Sequence, residues 1–384
     1  MADTSSYLLE QVIPPIAMRQ WVVSFPWPLR LVFAARPDWL TKVLGIVSRA
    51  ISSAVIARAG LRRSEGAQTG TITFVQRFGS ALNLNVHLHI LVPDGAYTFE
   101  HGKAHFHRAP APSPEQLRQL LDTVLARIIG ALERGGVLVK EDEQAYFDLP
   151  LDSPLEQLSA AAVRYRIALG PQAGRRTMTL RRGGAPSEAL LPLDKPFTVA
   201  RDGLSINCAV SCEPNERGKL ERLCRYMTRP AIAQARLSVD GDGLVVYELK
   251  RPFRDGTTHV LFEPHDFIAR LAALVPRPRS HLIRYHGLFA PNARHRRLIV
   301  KPKAATGDAK DADDAQPTER APSRWMARLK QVFDIEVRVC PRCGGQLRVI
   351  GEVTEPAIIA RILEHIRARD GRQRLARGPP TLAS

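Results

Sequence analysis

Apolar and polar residues along the first hundred positions follow a pattern that predicts the order strand, helix, strand, strand. The predicted elements are a buried strand, a helical stretch divided by Pro37, and two further strands, at residues 19–25, 29–60, 71–76 and 85–92. Pro26 and Pro28 end the first strand, because proline cannot donate to a β ladder. The last two strands form an antiparallel hairpin, and the whole order predicts an α+β fold.

Further along, the pattern predicts helices on either side of a strand pair and leaves residues 136–200 unassigned. The helices are predicted at 113–133, 216–227 and 264–275, and the strands at 243–249 and 257–262. Ser113 and Gln116 have the spacing of a capping box at the start of the first of these helices. A basic segment occupies residues 277–297.

A change in composition after residue 300 predicts a domain boundary. Residues 1–300 form the predicted main domain, whereas 301–323 hold almost no large apolar side chain and are predicted to be a flexible linker. A small α/β module that contains a CxxC sequence is predicted at 324–370. Residues 371–384 are a predicted basic tail.

The charge of the chain points to a polyanionic partner. Lys and Arg total 55 against 38 Asp and Glu, which gives a formal net charge of +17. Such a surplus attracts nucleic acid first and an anionic membrane surface second. No charge-free run reaches the ~18 residues that a membrane-spanning helix needs, and the N-terminal residues lack the order of a signal peptide. With only five cysteines, the chain is expected in a reducing cytoplasm and not in a membrane.

His87 and His89 are the clearest candidate metal ligands. They lie two positions apart in an apolar strand, so both imidazoles project from the same face. Gln76 on the preceding strand lies opposite them if the intervening turn closes a hairpin. Two imidazoles and an amide oxygen suit Mg²⁺ or Mn²⁺, with positions left for water or phosphate. The alternative is that both histidines pack on the sheet and hydrogen-bond locally.

A second His-x-His sequence, His105-Phe106-His107, fits the same pattern. It is followed by Arg-Ala-Pro-Ala-Pro, which is typical of a loop. We therefore expect this pair to lack a strand scaffold and prefer the first pair as the metal site.

Tyr226, on the predicted helix at 216–227, is the candidate nucleophile. Arg222 and Arg229 share its helix face by i−4 and i+3 spacing, and Arg225 lies alongside. Guanidinium groups in these positions would hold a phosphodiester near the ring and favour the phenolate. The alternative is a half-buried tyrosine on an ordinary basic helix.

Four collinear segments resemble the rolling-circle transposases of the insertion sequence ninety-one group and its relatives called ISCR. They are FVQRFGSALNLNVHLHILVPDG, RLCRYMTRPAIA, LKRPFRDGTTHVLFEPHDFIARLAALVPRPRSHLIRYHGLFAP and VCPRCGGQL. The resemblance extends over residues 8–362. Members belong to the HUH endonucleases (histidine, hydrophobic residue, histidine), which nick single-stranded DNA through a covalent tyrosine. The resemblance thus implies an HUH-type antiparallel sheet with flanking helices.

On this resemblance, His87-Leu88-His89 is the HUH motif, Tyr226 lies on the nucleophile helix, and Gln76 is at the position of a third ligand. The implied activity is transposition by metal-assisted transesterification through a 5′-phosphotyrosine. The implied partner is single-stranded DNA at the ends of a mobile element, with no small-molecule substrate. The expected location is the bacterial cytoplasm, associated with the nucleoid when DNA is bound.

Two departures from the family pattern leave other functions open. Members usually carry a cysteine-rich zinc segment ahead of the catalytic domain, whereas here no cysteine precedes Cys208. The expectation is a shortened gene product, and the alternative function is a catalytically inactive DNA-binding remnant. Arg222 stands where the main group has the first of two tyrosines, as in the ISCR branch, which argues against two simultaneous phosphotyrosines. A metal-dependent hydrolase without a covalent step is a third alternative.

Weaker signals predict further DNA contacts at Arg77, Arg229, Arg284, Tyr285 and His286. The last three belong to the sequence RYHG in the basic segment, where contact with phosphate is the functional interpretation and a solvated loop is the alternative. Tyr285 is also the fallback nucleophile.

The cysteines add one candidate site. Cys340 and Cys343 in CPRCGG have the spacing of half a zinc site, but no second pair lies nearby. Zinc would need ligands from elsewhere or from another chain, and the alternative is a turn that has lost its partners. Cys208, Cys212 and Cys224 lack ligand spacing and are predicted to be small apolar residues.

Overall fold

The computed structural model describes residues 2–141, 144–149, 151–181, 196–253 and 255–300, with scattered positions from 339 to 365. The chain divides into two compact units, Met1–Gly307 and Asp308–Ser384. The predicted linker and basic tail lie outside the described residues, as does most of the predicted small module.

Helices and strands alternate irregularly along the described residues. The helices are α1 (Ala2–Gln11), α2 (Trp27–Ala35), α3 (Pro37–Arg58), α4 (Pro114–Arg134), α5 (Pro154–Val163), α6 (Arg217–Met227), α7 (Pro264–Leu274) and α8 (Arg296–Ile299). The strands are β1 (Met18–Ser24), β2 (Gly70–Phe78), β3 (Leu84–Pro93), β4 (Gly95–Glu100), β5 (Lys103–Arg108), β6 (Leu138–Glu141), β7 (Gln144–Phe147), β8 (Met178–Arg181), β9 (Thr198–Arg201), β10 (Leu204–Asn207), β11 (Ser211–Cys212), β12 (Leu237–Val239), β13 (Val245–Glu248), β14 (Thr257–Phe262) and β15 (Ile283–Gly287). This mixture confirms the predicted α+β class.

The predicted elements agree with the structure to within a few residues. Pro37 begins a new helix, as expected, and Ser113 and Gln116 form the predicted capping box at the start of α4. The stretch that the sequence left unassigned contains the β6–β7 hairpin, helix α5 and strand β8.

The main sheet is antiparallel and has the order β15-β2-β3-β1-β10-β9, with β11 also paired to β1. Strand β3 lies inside the sheet, between β2 and β1. Because side chains alternate along a strand, this sheet presents two distinct faces. Helices cover both of them.

One face carries the larger core. Leu88 and Ile90 of β3 pack with side chains of α2, α3 and α4, among them Phe33, Val47 and Leu121. Helix α3 is long and apolar enough to cross a membrane by length and composition alone, with a mean hydropathy of 1.5. However, 56% of that window is buried inside the protein, and its buried side chains join this core. Helix α3 is therefore the core helix of this layer.

The other face packs against α1 and α6. Phe74 of β2 and Leu91 of β3 join Leu8 of α1 and Leu220 and Met227 of α6 in a second buried cluster. This packing places the end of α6 against β2 and β3, the strands that carry the predicted metal ligands.

The expectation that His105-Phe106-His107 lacks a strand scaffold is wrong. These residues lie on β5, which pairs with β4 in a two-stranded hairpin. The hairpin closes through His101 and Gly102, which have φ of 49° and 76°. Positive φ at both central residues is the type I′ geometry that favours tight hairpins, usually signalled by Asn-Gly or Asp-Gly. Here the turn has the sequence His-Gly, so the usual sequence signal of a tight hairpin is absent.

The alternative of a solvated loop for the RYHG sequence is also wrong. Residues 284–287 belong to β15, the edge strand of the main sheet, which pairs with β2 from Ile283 opposite Phe74 to Gly287 opposite Gly70. The sequence did not predict this strand, because its composition is basic and only one of its side chains is a large aliphatic residue.

Gly287 ends this strand at a close approach of two backbones. Its φ is 58°, and a Cβ atom built on it would lie 2.2 Å from the Thr69 carbonyl oxygen. We expect Gly287→Ala to lower the free energy of unfolding by about 3 kcal/mol, from left-handed strain plus overpacking. Denaturation in urea measures the loss.

Gly102→Ala is the matched control. Gly102 has a φ of 76°, but nothing lies within 4 Å of its added Cβ. It should therefore lose about 1 kcal/mol from backbone strain alone. Equal losses in the two variants would show that the contact with Thr69 contributes nothing.

Candidate active site

The pairing of β2 with β3 brings Gln76, His87 and His89 to one face of the sheet. Gln76 lies opposite His87, and Phe74 lies opposite His89. The two imidazole ring centroids are 5.0 Å apart. The predicted hairpin therefore closes in the register that places the amide beside the imidazoles.

Each histidine has a hydrogen bond at Nδ1. The Nδ1 of His87 lies 2.8 Å from the carbonyl oxygen of Asn85, which can only accept, so this nitrogen carries the proton and Nε2 keeps its lone pair. The Nδ1 of His89 lies 2.7 Å from Nε2 of Gln20, which in this placement donates to it. With the amide group of Gln20 turned over, its oxygen would accept from Nδ1 and hold His89 in the same tautomer as His87. Such partners orient imidazoles that bind metals.

Both histidines are held in the neutral form. Burial lowers the pKa of His87, and burial together with the charges of His87 and Arg229 lowers the pKa of His89 to about 3. At neutral pH both rings are therefore uncharged. This is the protonation state that ligates a metal ion.

Two polar atoms of this group are buried without a partner among the described residues. They are Nε2 of His89 and Oε1 of Gln76. A buried polar atom without a hydrogen bond costs free energy unless something else satisfies it. A cation bound between them would do so, and the nitrogen and oxygen donors fit Mg²⁺ or Mn²⁺. Within the described part of the chain, no three or more His, Cys, Asp or Glu side chains form a metal-binding group, so a site here depends on the amide ligand.

Helix α6 places Tyr226 beside these ligands. The tyrosine ring stands edge-on to the His89 ring, with the centroids 6.0 Å apart. The next residue, Met227, accepts a hydrogen bond of 3.0 Å through its carbonyl oxygen from Nε2 of Gln76. The end of α6 is thus tied directly to the candidate third ligand. Tyr226 is 41% exposed, so its ring is reachable from solvent.

The three arginines predicted around Tyr226 have different surroundings. The guanidinium carbon of Arg229 lies 4.3 Å from the centroid of the tyrosine ring. Arg222 is exposed, and Arg225 pairs with Glu221 at 3.8 Å. Arg229 is therefore the arginine that the structure brings to the ring.

Sequence reasoning missed Arg30 and Gln20 as parts of this site. Arg30, on α2, donates from Nε to the carbonyl oxygen of Phe25 at 2.7 Å, and its charge helps to lower the pKa of His87. Arg30 and Arg229 thus surround neutral imidazoles with positive charge, which suits an anionic phosphate group. Gln20 could have been noticed as a polar residue in the buried strand β1, but nothing in the sequence places Arg30 near β3.

The other predicted DNA contacts lie elsewhere. Arg77 donates from Nε and Nη2 to the last carbonyl groups of α7, and Arg284 donates from Nε to the carbonyl of His281. Tyr285 packs into the cluster beneath α1 and α6, where burial raises its pKa. Burial lowers the pKa of His286, whose Nδ1 has no partner among the described residues. The structure does not bring these four side chains to the histidine pair.

The cysteines behave in two ways. Cys208, Cys212 and Cys224 are buried, and burial raises the pKa of Cys208 and of Cys224 to about 12, so these thiols stay protonated. Cys340 and Gly345 belong to a tight turn, closed by a hydrogen bond from the Cys340 amide to the Gly345 carbonyl.

Comparison with known families agrees with the geometry. Residues 70–297 match the sequence model of the family described as "Putative transposase". The match covers more than half of the chain and includes the strands and helix that carry the candidate ligands and Tyr226. The chain therefore belongs to this transposase family. Significant matches were found neither among curated proteins nor among solved structures.

Proposed function

We propose that this transposase is an HUH-type enzyme of the insertion sequence ninety-one or ISCR group, which nicks and rejoins single-stranded DNA through Tyr226. One observation carries the proposal: the Tyr226 ring lies 6.0 Å from the ring of His89, although 137 positions separate them along the chain. A nucleophile next to a metal-ligating group is the arrangement that phosphoryl transfer requires. The family match supports transposition in general, and this juxtaposition supports the particular chemistry.

In this proposal, His87, His89 and Gln76 bind Mg²⁺ or Mn²⁺. When bound, the ion would supply Lewis acidity toward the oxygens of the scissile phosphate. Asn85, and Gln20 with its amide oxygen turned toward Nδ1, would hold the two imidazoles with Nε2 free for ligation.

The covalent step belongs to Tyr226. Its hydroxyl oxygen attacks the phosphorus atom, and the bond from phosphorus to the 3′ oxygen breaks. The hydroxyl proton leaves to solvent, and the 3′ oxygen ends as a hydroxyl group. The product is a 5′-phosphotyrosine, which keeps the energy of the ester for rejoining, so the reaction consumes no ATP.

Positive charge around the site serves binding and catalysis. Arg229 and Arg30 would face the non-bridging oxygens of the phosphate, where charge develops. The net charge of +17 would add a strand affinity that depends on salt and largely ignores sequence. We place the enzyme in the bacterial cytoplasm, where it would meet the ends of its element as single strands.

A gel assay tests the proposal. The protein is incubated with single-stranded oligonucleotides that span the ends of its element, labelled at either the 5′ or the 3′ end, with Mn²⁺ or EDTA. We expect a protease-sensitive shift of the fragment 3′ to the nick, in Mn²⁺ only, on a denaturing protein gel. Free 5′ phosphates without a shift would indicate a hydrolase, and binding without cleavage would indicate an inactive remnant.

A further inference from the structure

Trp27 is a large aromatic side chain left in solvent close to the candidate active site. It is 55% exposed, whereas Trp21 and Trp39 are buried. It begins α2 three residues after Ser24, the residue of β1 that lies opposite His87. The folded chain thus leaves an exposed tryptophan just after the strand that pairs with the histidine strand, and this tryptophan belongs to none of the buried hydrophobic clusters.

Arg30 connects this tryptophan to the site. Trp27 and Arg30 are three residues apart on α2, so their side chains share one helix face. The hydrogen bond from Arg30 to Phe25 holds the guanidinium near the end of β1. Helix α2, which carries Arg30, packs against both β3, the strand of His87, and α5, the helix that leads to Tyr165.

Tyr165 is the second exposed aromatic residue in this region. It follows α5, a helix that packs against α2 and β3, and it is 41% exposed. Its φ of 57° is rare for a bulky side chain. Its carbonyl oxygen accepts hydrogen bonds from both the amide and the hydroxyl of Thr177, at 3.0 and 3.1 Å, which fix this strained backbone. The backbone of Tyr165 is therefore held in one conformation.

We propose that Trp27, Arg30 and Tyr165 form a stacking platform for unpaired bases of the DNA strand next to the scissile phosphate. Exposed aromatic rings interleaved with a guanidinium group are the usual way in which proteins hold single-stranded nucleic acid without reading its sequence. Bases in a duplex are already stacked on each other, so the platform selects single strands. The inference rests on the proposed nicking function, since it takes the candidate active site as the place of the phosphate.

Binding measurements test the platform without any catalysis. The affinity of the full chain for a fluorescein-labelled oligo(dT) is measured in EDTA, in a Tyr226→Phe background. We expect Trp27→Ala and Tyr165→Ala each to weaken binding by about 5- to 150-fold, the range for one lost base stack. The slope of affinity against salt should not change, because no phosphate contact is lost.

Tyr146→Ala is the matched control. Tyr146 is 45% exposed on β7, and its hydroxyl donates to Glu141. This variant should bind oligo(dT) as the parent does. A thermal melt of each variant checks folding, and Trp27→Phe, which keeps a ring, should recover most of the affinity.

Tryptophan fluorescence gives an independent readout. In a Trp325→Phe variant, Trp27 is the exposed tryptophan, and stacking on a base should quench its emission as oligo(dT) saturates the protein. Unquenched emission at saturation, or affinities of both alanine variants within twofold of the parent, would overturn the platform. Because these binding tests involve no cleavage, the platform and the nicking function can each fail while the other holds.

Discussion

Tyr226→Phe is expected to abolish the covalent protein–DNA adduct while leaving affinity for the strand within about twofold. The substitution removes only the hydroxyl group that forms the phosphotyrosine. The ring keeps its edge contact with His89 and its stacking with Arg229, so the surroundings stay in place. The measurement is the labelled-oligonucleotide gel assay beside a binding titration in EDTA. An adduct that persists at the parent level would show that Tyr226 is not the nucleophile.

Tyr285→Phe is the control, because Tyr285 is the other tyrosine that the sequence offers as a nucleophile. It lies on the same sheet as the histidines but packs against the cluster beneath α1 and α6. Burial raises its pKa, which makes the phenolate harder to form. We expect Tyr285→Phe to form the adduct normally. Loss of the adduct in this variant alone would identify Tyr285 on β15 as the nucleophile.

The difference between the two tyrosines shows what the sequence could predict. Strand periodicity predicted that His87 and His89 share a face, and hairpin closure predicted that Gln76 lies beside them. These are local inferences, because period and register follow from neighbouring residues. The contact of Tyr226 with His89 is long-range and depends on the packing of α6 against β2 and β3. The spacing of arginines marked Tyr226 as a candidate, and the resemblance to a family placed it on a nucleophile helix, but neither predicts the contact with His89.

The features that sequence reasoning missed have identifiable physical causes. Arg30 reaches the site because α2 begins just after β1, and no spacing rule connects α2 to β3. The β4–β5 hairpin was missed because its turn uses His101 and Gly102, where His takes the left-handed conformation that Asn or Asp usually signals. Strand β15 was missed because its pairing with β2 satisfies the backbone of a polar sequence.

The two His-x-His sequences of this chain provide the sharpest test of the metal site. Both lie on strands, so a strand scaffold does not distinguish them. His89 has a buried Nε2 without a partner among the described residues, whereas Nε2 of His107 lies 2.8 Å from the hydroxyl of Thr98. The first histidine is therefore available to a cation, and the second is already satisfied.

His89→Ala is expected to abolish Mn²⁺ binding by the full chain and to slow adduct formation by at least ~100-fold, since a metal ion supplies several kcal/mol to phosphoryl transfer. His107→Ala should bind Mn²⁺ and form the adduct as the parent does. Isothermal titration with Mn²⁺ measures the first effect, and the gel assay measures the second. His89→Gln, a polar replacement, guards against loss of folding and should also fail to bind the ion tightly.

Gln20→Leu should give an intermediate result. It leaves every proposed ligand in place but removes the amide that lies 2.7 Å from Nδ1 of His89. Loss of such a partner typically weakens metal binding by about 10- to 100-fold. Unchanged Mn²⁺ affinity in both His89→Ala and Gln20→Leu would show that the imidazole pair is only a packed part of the sheet. Affinity that falls in the order parent, Gln20→Leu, His89→Ala would show that β1 orients the ligands that β2 and β3 carry.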